Sequence, residues 1–279
     1  MNLSWITLSN PVAIWWLFLV GVSALNCSAW TKARLSLPKD PTTKKLLLLS
    51  GAYVFGCAFR SLLPRADVQR ICLFDTWLSS VFVGRSVATI AELCFVAEWA
   101  ELLSFLAQES KANFTSKIAR MIVPLICVAE ICSWYAVVTT NYIGNCVEES
   151  LWGVSYFLIV LALLDLRSHF QGWFRRAIIL GAIGCAMYVM YMATVDVPMY
   201  MSRHQADIAS GKQFLGFMDG IKDLNTRWMV THDVKDWGYE FLWMSLYFSV
   251  AVWMSILLCP VPALLKRKLA PVKSIHKIL

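Results

Sequence analysis

The sequence predicts an all-α fold. It reads as a polytopic membrane bundle of about seven transmembrane helices, with an extra amphipathic interfacial helix between the last two. Three observations carry this expectation. Of the 279 residues, 58% are hydrophobic and only 15% are charged, where soluble domains carry about a quarter charged. The apolar residues come in blocks of about twenty, the length that crosses a hydrocarbon core of roughly 30 Å. The lysines and arginines gather in alternate short connections, as membrane topology requires of them. The whole chain, 1–279, is read as a single bundle domain.

Seven spans follow in order, at about 11–30, 46–63, 77–106, 119–140, 150–166, 177–200 and 239–262. No basic residue precedes the first, whereas Lys32, Arg34, Lys39, Lys44 and Lys45 follow it, the reverse of a cleavable signal peptide. Lys111, Lys117 and Arg120 join spans three and four, and Arg167, Arg175 and Arg176 join five and six. Lys266, Arg267, Lys268, Lys273 and Lys277 form a basic tail at about 263–279. The intervening loop at 141–149 has no lysine or arginine, and in the loop at 64–76 Arg65 and Arg70 are balanced by Asp67 and Asp75. The expected topology therefore puts the amino end outside or in a lumen and the carboxyl end in the cytoplasm. In span six, Ala177, Gly181 and Cys185 recur every four residues, a small-residue pattern for close helix packing. The connection at about 201–238 exceeds a simple turn. Phe214, Phe217, Met218, Ile221, Leu224 and Trp228 give it helical spacing, which fits a helix lying in the outer interface or a lid on the bundle.

Span three raises the functional question, because it carries Arg85, Glu92, Glu98 and Glu101 through an apolar stretch. Seven positions separate Arg85 from Glu92, which returns Glu92 to nearly the same face two turns deeper. That separation reads as too long for a direct pair, so each is expected to meet a partner on another helix. Glu98 and Glu101 face the other way and read as interfacial carboxylates. Arg60 near the outer end of span two, Glu130 in span four and Asp196 near the outer end of span six are the candidate partners. A lone charge at a helix centre costs roughly 2.5–3.5 kcal/mol, so several in one bundle should be paired, hydrated or neutral. Arg60, Arg85, Glu92, Glu130 and Asp196 thus outline a polar cavity that binds or passes a small polar molecule, ion or proton, or else a structural network tying helices together.

The outer face holds a second polar concentration. His204, Asp207, His232 and Asp233 supply the groups for general acid/base work, giving an alternative reading as a membrane-embedded hydrolase or transferase acting on a lipid-linked substrate. A third reading is a non-catalytic scaffold or assembly subunit. No two histidines occupy a metal-binding helical spacing, and HExxH, GxSxG and P-loop patterns are missing, so no metal or cofactor is expected. The last span has no lysine for a retinal Schiff base. The net charge of +7 is explained by topology and gives no nucleic-acid footprint. The expected partners are the lipid bilayer, a small polar ligand or ion, and a membrane protein or second copy. The nine cysteines show no CxxC pair, and only Cys72 and Cys146 fall on one side in a way that would allow a disulfide. Trp5, Trp30, Trp77, Trp152, Trp173, Trp228 and Trp237 lie near span ends, as interfacial anchors do. Asn2 and Asn113 begin glycosylation sequons, the second in an expected cytoplasmic loop.

Overall fold

A computed structural model describes residues 4–269; Asn2, Lys273 and Lys277 lie outside the described residues. The chain is an all-α bundle. Asn10 starts α1 (Pro11–Ser36) by accepting a hydrogen bond from the Val12 amide while Pro11 takes the first turn, where its missing N–H costs nothing. Asp40 and Pro41 repeat the device at α2 (Pro41–Leu62). Ser80 caps α3 (Val81–Ser110), which ends on Lys111 in the left-handed conformation. Then follow α4 (Asn113–Thr139) and α5 (Ile143–Leu166). A further helical column comprises α6 (Trp173–Tyr191), a π-helical segment Met192–Asp196 and α7 (Val197–Ala209).

The segment after α7 folds back over the end of the bundle where α3 starts and α4 finishes. It contains α8 (Phe217–Thr226) and the four-residue α9 (Val234–Trp237). The last column comprises α10 (Glu240–Leu246), a second π-helical segment Tyr247–Ala251, α11 (Val252–Leu258) and α12 (Val261–Leu269).

Six helical columns are long and apolar enough to cross a membrane: Pro11–Ser36, Pro41–Leu62, Asn113–Thr139, Ile143–Leu166, Trp173–Ala209 and Glu240–Arg267. The chain is therefore a multi-pass membrane protein. The charges of α3 set it apart from these six, although it is the longest unbroken α-helix and packs against both α2 and α4. Aromatic pairs join neighbouring and sequence-distant helices alike: Tyr53 of α2 stacks on Phe95 of α3 with ring centroids 4.4 Å apart, and Trp15 of α1 stacks on Phe241 of α10 at the same separation.

The outer connections depart from the sequence reading. Three two-residue strands form a small sheet, in which β1 (Arg65–Ala66) pairs antiparallel with β2 (Ile71–Cys72) and β2 pairs parallel with β3 (Met229–Val230). Arg70 fastens this sheet. Its guanidinium donates to Asp223 at 2.8 Å, to the Asp67 carbonyl at 2.6 Å and to the Val137 carbonyl at 2.6 Å. The helix expected through 214–228 is shorter, spanning Phe217–Thr226. It buries Gly220 and Leu224 and leaves Phe217 and Met218 exposed. Leu224 packs with Val81, Val137 and Val138, and the missing side chain of Gly220 lets α8 approach the Val138 backbone. Another correction concerns α6, where the buried face is Phe174, Ile178, Ala182 and Cys185. Ala177 is exposed, whereas Gly181 faces Leu163 of α5 and Cys185 is buried, so only part of the small-residue series lies at that contact. All nine cysteines are free, Cys72 and Cys146 included.

Candidate functional site

The charges of α3 converge with others on one point. Arg85 is 7% exposed, and its Nη2 donates to Glu130 at 2.6 Å, to Glu92 at 2.9 Å and to Glu148 at 3.2 Å. The Arg85–Glu92 contact is direct, which corrects the expectation drawn from their spacing. Seven residues amount to about 10.5 Å of rise, but a helical side chain leans toward the amino end, so Glu92 reaches back while the long arginine reaches down. The glutamates have further partners. Thr89 donates to Glu130 at 2.6 Å, Asn145 to Glu148 at 3.0 Å and the Tyr247 hydroxyl to Glu92 at 2.9 Å. Trp134 donates in turn to Thr89 at 3.1 Å. One guanidinium thereby ties α3 to α4 and α5, and Glu92 carries the connection to the last column.

Oxygens of Glu92, Glu130 and Glu148 all lie within 4.8 Å of one another, close enough to surround a cation. Arginine Nη2 occupies that role here, so the triad already holds an organic cation. The satisfaction is incomplete. Nη2 has two hydrogens for three oxygens, and Arg85 Nε and Glu130 Oε1 are buried without a hydrogen-bond partner among the described residues.

The cluster forms part of the wall of a cavity of about 750 Å³, within the usual range for small-molecule sites. The part nearer the 64–76 connection is lined by Arg60, Asp67, Glu148, Glu149, Tyr200 and Glu240, and the deeper part by Phe95, Trp99, Trp152, Met254, Leu257 and Leu258. Arg85 and Glu92 lie on the wall between them. At the outer end, Arg65 donates to Asp67 at 2.8 Å and Arg60 lies 4.0 Å from the same carboxylate. Burial would raise the Asp67 carboxyl, but Arg65 first, then Arg60 and Arg85, hold it below the ordinary carboxylate value.

The five residues expected to outline the cavity are therefore distributed unequally. Arg60, Arg85 and Glu92 line it, Glu130 lies behind Arg85, and Asp196 is buried at the outer end, accepting from the Tyr239 hydroxyl at 3.2 Å. Glu98 is a correction. It is fully buried, accepting from the Ser255 hydroxyl at 2.5 Å and the Cys259 thiol at 3.5 Å, with Ser50 2.8 Å from Ser255. Only Glu101 keeps an interfacial setting, paired with exposed Lys45 at 2.6 Å.

Glu148 and Glu149 were expected in a loop, but α5 begins at Ile143 and buries both. A signal for this existed in the sequence. Asn145, Glu148, Glu149, Trp152 and Tyr156 follow helical spacing, and all five line the cavity.

Of the two histidines in the 201–238 segment, His232 is engaged in local contacts, whereas the buried Nδ1 of His204 has no hydrogen-bond partner among the described residues. His232 bonds to the Leu73 carbonyl at 3.0 Å and stacks on Trp5, while Asp233 caps α9 through the Lys235 amide. Asp207 is paired with Lys212 at 2.6 Å, and His204 stacks on Phe214. No hydrogen bond or ion pair links His204 to Asp207 or His232 to Asp233 among the described residues.

Neither a protein-family model, nor a curated protein, nor a solved structure matches this chain.

Proposed function

We propose that this multi-pass membrane protein binds or passes a small polar molecule, ion or proton through the cavity beside Arg85. In this reading α3 also crosses the bilayer, making seven spans, because its 30 residues extend about 45 Å between α2 and α4. The amino end lies outside or in a lumen and the carboxyl end in the cytoplasm, the side to which lysine and arginine in short connections are drawn. The segment carrying α8 then caps the outer end.

The observation that carries the reading is a cavity of ligand size whose charged wall is unfinished. Beside it Arg85 Nε and, behind Arg85, Glu130 Oε1 are buried without a hydrogen-bond partner among the described residues, whereas a purely structural network would ordinarily leave few buried polar atoms unsatisfied. A non-catalytic assembly subunit is the second reading, favoured by the way Arg85 joins three helices. A hydrolase or transferase centred on His204, Asp207, His232 and Asp233 has less support: His204 Nδ1 is buried without a hydrogen-bond partner among the described residues, but His232, Asp233 and Asp207 are engaged in local contacts.

Glu92→Gln separates the first two readings. The purified protein should carry a small molecule, or conduct protons into dye-loaded liposomes, and the variant should lose that property while remaining folded in the membrane. A variant with unaltered binding and flux removes the role given to Glu92. A stoichiometric protein partner retained by wild type and variant alike, with neither ligand nor flux, would favour the assembly subunit.

A further inference from the structure

Three features of the cavity bear on what it holds. The first is charge. Three arginines on its wall, Arg60, Arg65 and Arg85, face five carboxylates. The arginines are already committed, two to Asp67 and one to the glutamate triad. Glu240 accepts from Gln69 at 3.3 Å. Glu149 is 9% exposed, lines the cavity and has no hydrogen-bond or ion-pair partner among the described residues. Asn145 donates to Glu148, which turns its carbonyl oxygen away from that bond, and this buried oxygen also has no partner. Glu149 is the unmatched acceptor on this wall, with Asn145 one helical turn before it, and it calls for a ligand that brings N–H donors and positive charge.

The second feature is polarity along the depth of the cavity. Beyond the glutamates the lining turns to Phe95, Trp99, Met254, Leu257 and Leu258, which fits an aliphatic tail. Aromatic faces of Trp152, Tyr188 and Tyr247 line the wall as well, and such faces attract cations.

The third feature is an opening through the side of the bundle. At the outer end the column of α6 and α7 and the column of α10 to α12 are bridged by the Asp196–Tyr239 hydrogen bond and by Tyr191 stacked on Trp243 at 6.4 Å. Deeper, Gly184 has no atom within 4 Å of the position its Cβ would take, yet it lines the cavity. Met187, Trp253 and Leu257 also line it while being 69%, 48% and 68% exposed on the bundle surface. The gap between α6 and α11 therefore faces the lipid.

Resting on the binding function proposed above, we infer that the ligand is a primary ammonium carried on an aliphatic chain. It enters from the bilayer between α6 and α11 and seats its ammonium against Glu149 and Asn145.

Dodecylamine is the probe, added to the protein in phosphatidylcholine nanodiscs, with one-to-one saturable binding read by native mass spectrometry. Dodecylamine should bind more tightly than dodecanol and than ethylamine, and Glu149→Gln should weaken dodecylamine on the order of tenfold, the worth of one charge-assisted hydrogen bond. The isosteric amide keeps the size and shape of the side chain, so folding is preserved. Gly184→Phe fills open space at the portal and should slow loading on the order of tenfold, as an obstructed gate does. Displacement of dodecylamine by phosphatidylethanolamine added to the discs would identify a lipid headgroup as the ammonium source, and resistance to it a free amine; either agrees with the inference. Equal binding of dodecanol and dodecylamine, or an unaffected Glu149→Gln, overturns the ammonium assignment while leaving the cavity a binding site. Equal binding of ethylamine overturns the amphiphile, and unchanged loading of Gly184→Phe overturns the lateral route. Binding of none of these probes, with another small molecule co-purifying, overturns the inference alone; with nothing co-purifying and no proton flux, the binding function falls too.

Discussion

Replacing Arg85 tests how the interior charge is balanced. Arg85→Met keeps a long flexible side chain but removes the cation that three carboxylates share at 2.6, 2.9 and 3.2 Å. Breaking a buried pair by deleting one partner typically costs about 3–5 kcal/mol, because the remaining charge stays uncompensated. Here three partners are left behind, so the upper half of that range applies. At about 2 °C per kcal/mol for a chain of this size, the melting temperature should fall on the order of 8–10 °C. Thermal unfolding followed by tryptophan fluorescence in nanodiscs is a direct assay, since the chain has 13 tryptophans.

Two companion variants separate charge from shape. Arg85→Lys supplies three N–H donors on one nitrogen, as many as the oxygens now crowding Nη2, and should recover at least half of the loss. Adding Glu130→Gln to Arg85→Met removes one orphaned charge and should be less destabilising than Arg85→Met alone, a non-additivity expected only of groups in contact. A melting temperature for Arg85→Met within a degree or two of wild type would refute the reasoning, because a shared buried cation cannot be removed without cost.

Two further outcomes follow from other parts of the fold. Asp67 is held below its ordinary value of 3.8 by Arg65, Arg60 and Arg85. A carboxyl depressed on folding contributes stability that is complete above the unfolded value and disappears as pH falls through the folded one. Melting temperatures between pH 6 and pH 2 should therefore fall more steeply below about pH 4 in wild type than in Asp67→Asn; identical profiles would remove Asp67 from the account. Gly220→Ala places a methyl group on the Val138 carbonyl, and overpacking of this kind costs about 1–3 kcal/mol. The effect should be local, visible as faster hydrogen exchange across residues 217–226 with α3 to α5 unchanged.

Much of the bundle was legible because hydrocarbon thickness imposes one length on every crossing, and apolar blocks of that length are hard to mistake. Arg85, Glu92 and Glu130 were legible for the complementary reason that charge in such a block demands a partner. Glu98 was misread because helical angle specifies a direction but not the neighbour met there: Ser50, Ser255 and Cys259 come from distant columns. Glu148 and Glu149 were misplaced because hydropathy falls where acids gather, so the apolar part of α5 seemed to begin at its second turn. The three-stranded sheet left no trace in the sequence, since strands of two residues are too short for alternation to register. His232 and Asp233, adjacent in sequence, suggested a catalytic pair, yet the imidazole turns to Trp5 and Leu73 while the carboxylate turns to its own helix.

The two π-helical segments, Met192–Asp196 and Tyr247–Ala251, stand in the column of α6 and α7 and in the column of α10 to α12, near one rim of the gap between them. A π-turn is an α-turn that has taken in one additional residue. Removing a single residue from Tyr247–Ala251 would let the backbone close into ordinary α-helix, with Trp15 and Phe241 still stacked above and Ser255 still turned toward Glu98 below. The same deletion in the middle of α5 would rotate one half of that helix by about 100° against the other and separate Glu148 and Glu149 from Tyr156. The two columns beside the gap are therefore where this chain can change its length by one residue without re-indexing the rest of the molecule.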